Sequence, residues 1–97
     1  MPSAYVVAQV NPTDDGPFKQ YKEAVPEVVL KYGGEYLARG GRYERLEGRE
    51  PLTRHVIMRF ASYEQALSWY HSPEYQALKK LRLTGASGDI LLVEGVK

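Results

Sequence analysis

The chain has 97 residues, of which 43% are hydrophobic and 26% charged, the make-up of one globular domain spanning residues 1–97. Thirteen basic residues nearly cancel twelve acidic ones, and the formal charge of +1 offers no electrostatic footprint for nucleic acid or anionic lipid. The lack of cysteine excludes disulfides, thiolate metal sites and thiol nucleophiles.

No apolar run approaches membrane-spanning length and no secretory pattern opens the chain, so the expected location is cytoplasmic, away from membranes. Residues 4–10 alternate as a strand, with Ala4, Val6, Ala8 and Val10 on one face and Tyr5, Val7 and Gln9 on the other. A loop follows in which Asp14 or Asp15 supplies a helix N-cap. The spacing of Phe18, Tyr21, Val25, Val28, Val29 and Tyr32 predicts a helix over 17–32. Pro26 lies inside it and deletes one backbone hydrogen bond, which predicts a kink rather than an end. Gly33-Gly34 closes the helix, one glycine taking the left-handed conformation.

A second strand is expected over 35–44, interrupted at Gly40-Gly41 by a bulge, a bend or the close approach of another backbone. After a turn region over 46–51, a third strand over 53–60 sends Val56, Met58 and Phe60 one way and His55, Ile57 and Arg59 the other. Ser62 and Gln65 fit a capping box. The helix they open carries Ala66, Leu67 and Tyr70 inward and breaks at Ser72-Pro73, an N-cap followed by a first-turn proline. It continues through Tyr75, Leu78 and Leu81 or Arg82. Gly85 and Gly88 end it, and a last strand covers 89–94.

The order βαββαβ predicts an α+β ferredoxin-like plait: a four-stranded antiparallel sheet with the first and third strands central and the helices on one face. The other face would carry Tyr5, Val7, Ile57 and either Ile90 with Leu92 or Leu91 with Val93. That is too apolar to leave in water, and a second copy placed sheet to sheet is the simplest cover. The expected partner is therefore the chain itself, as a homodimer.

Eight tyrosines against two phenylalanines favour half-wet surfaces, where a ring packs and its hydroxyl finds a partner. Trp69, Tyr70 and Tyr75, around the break at Ser72, admit two readings: walls of a ligand pocket, or core anchors under a broken helix. Packing is the commoner fate of large aromatics. Arg39, placed by alternation on the same strand face as Glu35 and Leu37, suits a bidentate clamp on a carboxylate or an enolate oxygen. Its bland alternative is an ion pair with Glu35, Glu44 or Glu94. Arg59 and Arg82 invite the same argument, or serve as solvated charges.

His55 and His71 are the only imidazoles, and so the candidate general bases near neutrality. Neither has an orienting carboxylate at short spacing, and an exposed or satisfied histidine is the bland reading of each. No histidine pair stands at metal spacing, so neither a metal nor a cofactor is predicted. Gly85-Ala86-Ser87-Gly88 is not a nucleophile elbow, because it follows a helix and precedes a strand. No phosphate loop, dinucleotide fingerprint or RNA-binding aromatic motif occurs.

Five stretches together carry a family likeness: Gly33-Gly34-Glu35-Tyr36-Leu37-Ala38-Arg39-Gly40-Gly41, Leu46-Glu47-Gly48, Trp69-Tyr70-His71-Ser72-Pro73-Glu74-Tyr75, Gly88-Asp89 and Val93-Glu94-Gly95. Over essentially its whole length the chain resembles the bacterial domain of unknown function 1330 family. The resemblance implies the dimeric α+β barrel superfamily, in which two ferredoxin-like protomers join their sheets. That superfamily includes cofactor-independent monooxygenases, muconolactone isomerase-like enzymes, haem-binding peroxidases and non-catalytic ligand binders, and fold alone does not choose among them. The family motif marks Arg39, Gly40, Gly41, Glu47, Trp69, Tyr70, Ser72, Tyr75 and Asp89 without giving any of them a catalytic role. The expectation is a small-molecule-binding homodimer in which Arg39 holds an anionic or carbonyl-bearing metabolite among Trp69, Tyr70, Ser72 and Tyr75. Its alternatives are a cofactor-independent isomerase or monooxygenase using His55 or His71 as base, and a purely structural dimer.

Overall fold

The computed structural model describes residues 2–49 and 54–97. Seven elements follow in order: β1 (Ala4–Pro12), α1 (Asp15–Lys31), β2 (Glu35–Arg39), β3 (Arg54–Phe60), α2 (Tyr63–Tyr70), α3 (Pro73–Gly85) and β4 (Ala86–Glu94). The strands form one antiparallel sheet in the order β2-β3-β1-β4, the ferredoxin-like arrangement with β1 and β3 central. The expected start of the third strand at Thr53 and the end of the turn region at Pro51 lie outside the described residues.

Alternation decides what the sheet buries. Ala4, Val6, Ala8 and Val10 are buried with Met58 and Phe60, while Ile90 and Leu92 pack against the same core. The helices cover this face through Val25 and Val29 of α1, Ala66 and Trp69 of α2, and Tyr75 of α3. On the other face, register places Tyr5 beside Arg59 and Val93, and Val7 beside Ile57 and Leu91. Leu91 and Val93, rather than Ile90 and Leu92, complete the open face, and both are more than half exposed.

Helix ends follow their local chemistry. Asp14 caps α1 by accepting from the Gly16 N–H at 3.1 Å. Gly33, at φ +82°, turns the chain out of α1. Ser62 caps α2 by accepting from the Gln65 N–H. The reciprocal half of that capping box does not form, because the Gln65 amide donates instead to the Tyr32 carbonyl at 2.6 Å and ties α2 to the end of α1. Lys31 pairs with Glu74, and the Tyr32 hydroxyl donates to the same carboxylate at 2.9 Å, joining α1 to the start of α3. The Lys31 hydrogen bond, more than any other contact, pulls the Glu74 carboxyl down to about 2.

Two expected strands change length. The second ends at Arg39 instead of residue 44, because Gly40 takes φ +66° and turns its N–H onto the His55 carbonyl at 2.9 Å. The last begins at Ala86 instead of residue 89, pairing Ala86 with Pro12 directly after α3 ends. A further correction concerns facing. The pairing skips a residue between Tyr36, opposite Met58, and Ala38, opposite Ile57, so Leu37 is a bulge. One extra residue reverses the alternation that follows. Arg39 therefore shares the helix-covered side with Tyr36, not the face of Glu35, and Glu35 pairs with Arg59 on the open face.

The break between α2 and α3 is closed by Ser72, itself buried. Its hydroxyl donates to the Trp69 carbonyl at 2.7 Å and accepts from the Tyr75 N–H at 3.1 Å, and Gln76 covers the Tyr70 carbonyl. Replacing Ser72 by alanine strands the buried Tyr75 N–H and leaves the Trp69 carbonyl with only the backbone N–H of residue 72. Ser72→Ala should cost about 1–2 kcal/mol, read as a lowered urea midpoint at unchanged m-value.

Candidate functional site

The site begins with a missing hydrogen bond. Pro26 has no N–H, so the carbonyl four residues earlier, that of Lys22, lacks its helical partner. Arg39 supplies one: its Nη2 donates to the Lys22 oxygen at 2.6 Å, while its guanidinium lies 4.9 Å from the centre of the Tyr36 ring. The Leu37 bulge brings Arg39 to that side of the sheet, and the proline in α1 gives it an acceptor. Beside it stands Arg54 at the start of β3. Its guanidinium occupies the space where a side chain on Gly40 would be, since a Cβ there would fall 2.1 Å from Arg54 Nη1. Burial, then the charge of Arg39, press the Arg54 guanidinium below its ordinary value.

A third arginine lies deeper. Arg82 sits at the last turn of α3 and is 8% exposed. Its Nε donates to the Tyr75 hydroxyl at 3.1 Å, and that hydroxyl stands 2.9 Å from the hydroxyl of Tyr21 on α1. Burial, reinforced by Tyr75, holds the Tyr21 phenol far above its ordinary value, so it stays protonated.

These groups surround one cavity between α1 and the sheet, with a volume of about 40 Å³. Lys22, Arg39, Arg54 and Arg82 line it, and among the described residues no carboxylate does. Its floor is apolar, from Ala8, Val56, Met58 and Ile90, and Tyr21, Tyr36 and Trp69 contribute aromatic wall. The arrangement is a graded cationic funnel, from exposed Arg39 to buried Arg82, over a hydrocarbon base. Such a site can orient an anion or an electron-rich oxygen and hold a short carbon body beneath it.

The expected site residues divide among several places. Arg39 and Trp69 line this cavity, and Tyr75 stands behind it as the link between Tyr21 and Arg82. Trp69 is also a core anchor, with its ring 4.4 Å from that of Tyr75 and 5.3 Å from that of Phe60. Its indole N–H is buried without a partner among the described residues. Tyr70 and the exposed His71 line a second pocket of about 210 Å³ against Val6 and Leu92, on the other side of Trp69. Ser72 holds the helix break together. His55 projects from the open sheet face beside Gln9, its ring 4.8 Å from that of Tyr43. Neither histidine lines the arginine cavity.

Two residues of the funnel, Tyr21 and Arg54, escape reasoning from sequence, whereas Arg82 is already a candidate clamp there. Tyr21 reads as one more apolar position of α1. Arg54 attracts no notice at a strand end, although Gly40 and Arg54 meet across β2 and β3. Arg82 carried a usable signal, since Tyr75, Leu78 and Arg82 follow the spacing of one helix face. Among the described residues no three histidine, aspartate or glutamate side chains gather as a metal set, and no helix is long and apolar enough to cross a membrane.

With this geometry in hand, comparison with known proteins is informative. The pattern of DUF1330, a domain of unknown function, matches residues 3–96. The chain belongs to the DUF1330 family. No functionally curated protein matches it significantly. Among solved structures, a protein of unknown function from Rhodopseudomonas palustris superposes with a TM-score of 0.77 at 15% identity, over 99% of this chain and 84% of that one. SnoaB, a cofactor-independent oxygenase from Streptomyces nogalater, gives 0.68 at 8% identity, over 100% and 96%. A dimeric ferredoxin-like protein of unknown function from a Jannaschia species gives 0.66 at 13% identity, over 98% and 99%. At such identities the likeness is one of fold.

Pro26→Ala tests how Arg39 is held. The alanine N–H returns the Lys22 carbonyl to the helix ladder, so stability should rise by up to about 3 kcal/mol, read as a higher urea midpoint. Arg39 should then share the Lys22 oxygen with the new N–H and be held less firmly, seen in 15N-labelled protein as side-chain N–H signals broadened by exchange with water.

Proposed function

We propose that this member of the DUF1330 family is a homodimeric binding protein for a small metabolite bearing an anionic or carbonyl group. The observation that carries this reading is Arg82, a buried cation whose one partner among the described residues is a neutral phenol, facing a cavity that those residues line with three further cations and no acid. A largely buried guanidinium held only by a neutral phenol leaves its Nη groups free to meet an anion that enters the cavity. The apolar floor favours a short carbon skeleton over a bare inorganic ion. Arg39, at the exposed mouth, is placed to complete a bidentate grip on a planar carboxylate. The absence of both histidines from the cavity lining favours binding over histidine-based proton transfer.

The dimer is supported by the open face of the sheet. Val7, Ile57, Leu91 and Val93 form a continuous apolar patch there, flanked by the Glu35–Arg59 pair. A second copy of the same surface satisfies both the apolar area and the charged rim, and the similar Jannaschia protein is described as dimeric.

Two measurements test these points. Calorimetric titration with short monocarboxylates and dicarboxylates should show saturable binding that Arg39→Ala weakens by about tenfold or more, the loss of one charge-assisted hydrogen bond pair. Binding that is absent, or indifferent to Arg39, overturns the anion site. In sedimentation equilibrium the natural chain should run as a dimer and Leu91→Glu as a folded monomer, because an unpaired carboxylate is placed in the centre of the patch.

A further inference from the structure

The Arg82–Tyr75–Tyr21 chain contains a hydrogen that the protein does not use. Two phenols carry two O–H hydrogens, but they share a single O···O contact of 2.9 Å. Arg82 Nε donates into Tyr75 Oη and so occupies one of its lone pairs. If Tyr21 donated to Tyr75, the Tyr75 hydrogen would be orphaned at a residue with 0% exposure and no other acceptor among the described residues. The opposite order leaves no buried orphan. Arg82 donates to Tyr75, Tyr75 donates to Tyr21, and the spare hydrogen sits on Tyr21, the phenol that lines the cavity.

From this accounting we infer that Tyr21 is a ligand-binding residue that donates its hydroxyl hydrogen to a ketone oxygen, and that the ligand is a small oxo acid. The inference rests on the anion site proposed above: Arg39 and Arg54 take the carboxylate, and Tyr21 takes the second oxygen over the same apolar floor. A carboxylate alone would leave the Tyr21 hydrogen unanswered once the ligand excludes water. A ketone oxygen accepts it without adding a second negative charge, and the guanidinium behind Tyr75 polarises the whole chain toward donation. Tyr75 is then a positioning residue. It does not line the cavity, and it sets which way the Tyr21 hydrogen points.

The experiment compares matched acids on the full chain. 2-Oxobutanoate is titrated against butanoate, and 4-oxopentanoate against pentanoate, in the natural protein and in Tyr21→Phe, Tyr75→Phe and Arg39→Ala. In the natural protein at least one oxo acid should bind about tenfold tighter than its deoxo partner, the value of one well-placed hydrogen bond. Tyr21→Phe should erase that preference, so that the oxo and deoxo members of each pair bind alike. Tyr75→Phe should erase most of it too, although the Tyr21 hydroxyl remains, which a merely local contact would not do. A natural protein that binds both members of each pair equally, with Arg39 still required, overturns the role of Tyr21 and leaves the anion site standing. The same holds for a preference that survives in Tyr21→Phe. Arg39-independent binding, or none, overturns both.

Discussion

One hydroxyl, that of Ser72, lets two helices meet at a buried corner. It answers the last turn of α2 through the Trp69 carbonyl and the first turn of α3 through the Tyr75 N–H. Without a group that can donate and accept at once, a corner with 4% exposure would leave helix-end groups unpaired. Because the corner is stable, Trp69 and Tyr75 pack against each other on either side of it, their rings tilted and 4.4 Å apart at the centres. Trp69 then packs on Phe60 of β3 while Tyr75 reaches toward α1. The change of direction separates two jobs that one continuous helix would combine: α2 closes the core, and α3 carries Arg82 to the cavity.

The cavity's electrostatics invert the usual rule for buried charge. Buried cations normally sit beside carboxylates, yet the ion pairs Lys31–Glu74 and Arg59–Glu35 both lie away from the funnel. Within it, positive charge is held by neutral acceptors: the Lys22 carbonyl for Arg39 and a phenol for Arg82. Neutral acceptors fix direction without cancelling charge, so the field in the cavity is kept for whatever enters it. The open sheet face has the opposite character, an apolar strip with a paired charge at its rim. The same sheet therefore carries a cationic cavity on one side and an exposed apolar strip on the other.

The fold is shared with proteins as different as a cofactor-independent oxygenase and several of unknown function, at identities of 8–17%. What such a plait supplies is a sheet with helices laid across one side, and a gap beneath the first helix. The chemistry of that gap is set by a few local devices. In this chain they are Pro26, which frees a carbonyl, the Leu37 bulge, which turns Arg39 inward, and Gly40, whose missing side chain gives Arg54 its place.

Much of this was legible in the order of residues, because it depends on neighbours a few positions apart. Period-two alternation in β1 and β3, the caps at Asp14, Ser62 and Ser72, the turn at Gly33 and the apolar open face all follow from short-range rules. Pro26 announced a freed carbonyl but not its new partner. Tertiary structure decided the rest. A one-residue bulge cannot be seen without the opposing strand, and it moved Arg39 to the other face. Tyr21 and Tyr75 meet across 54 positions, and Arg82 became a buried cation because that pair was there to receive it. Local chemistry dictates which way a side chain leaves the backbone, whereas its depth, its partner and its charge environment belong to elements that arrive from elsewhere in the chain.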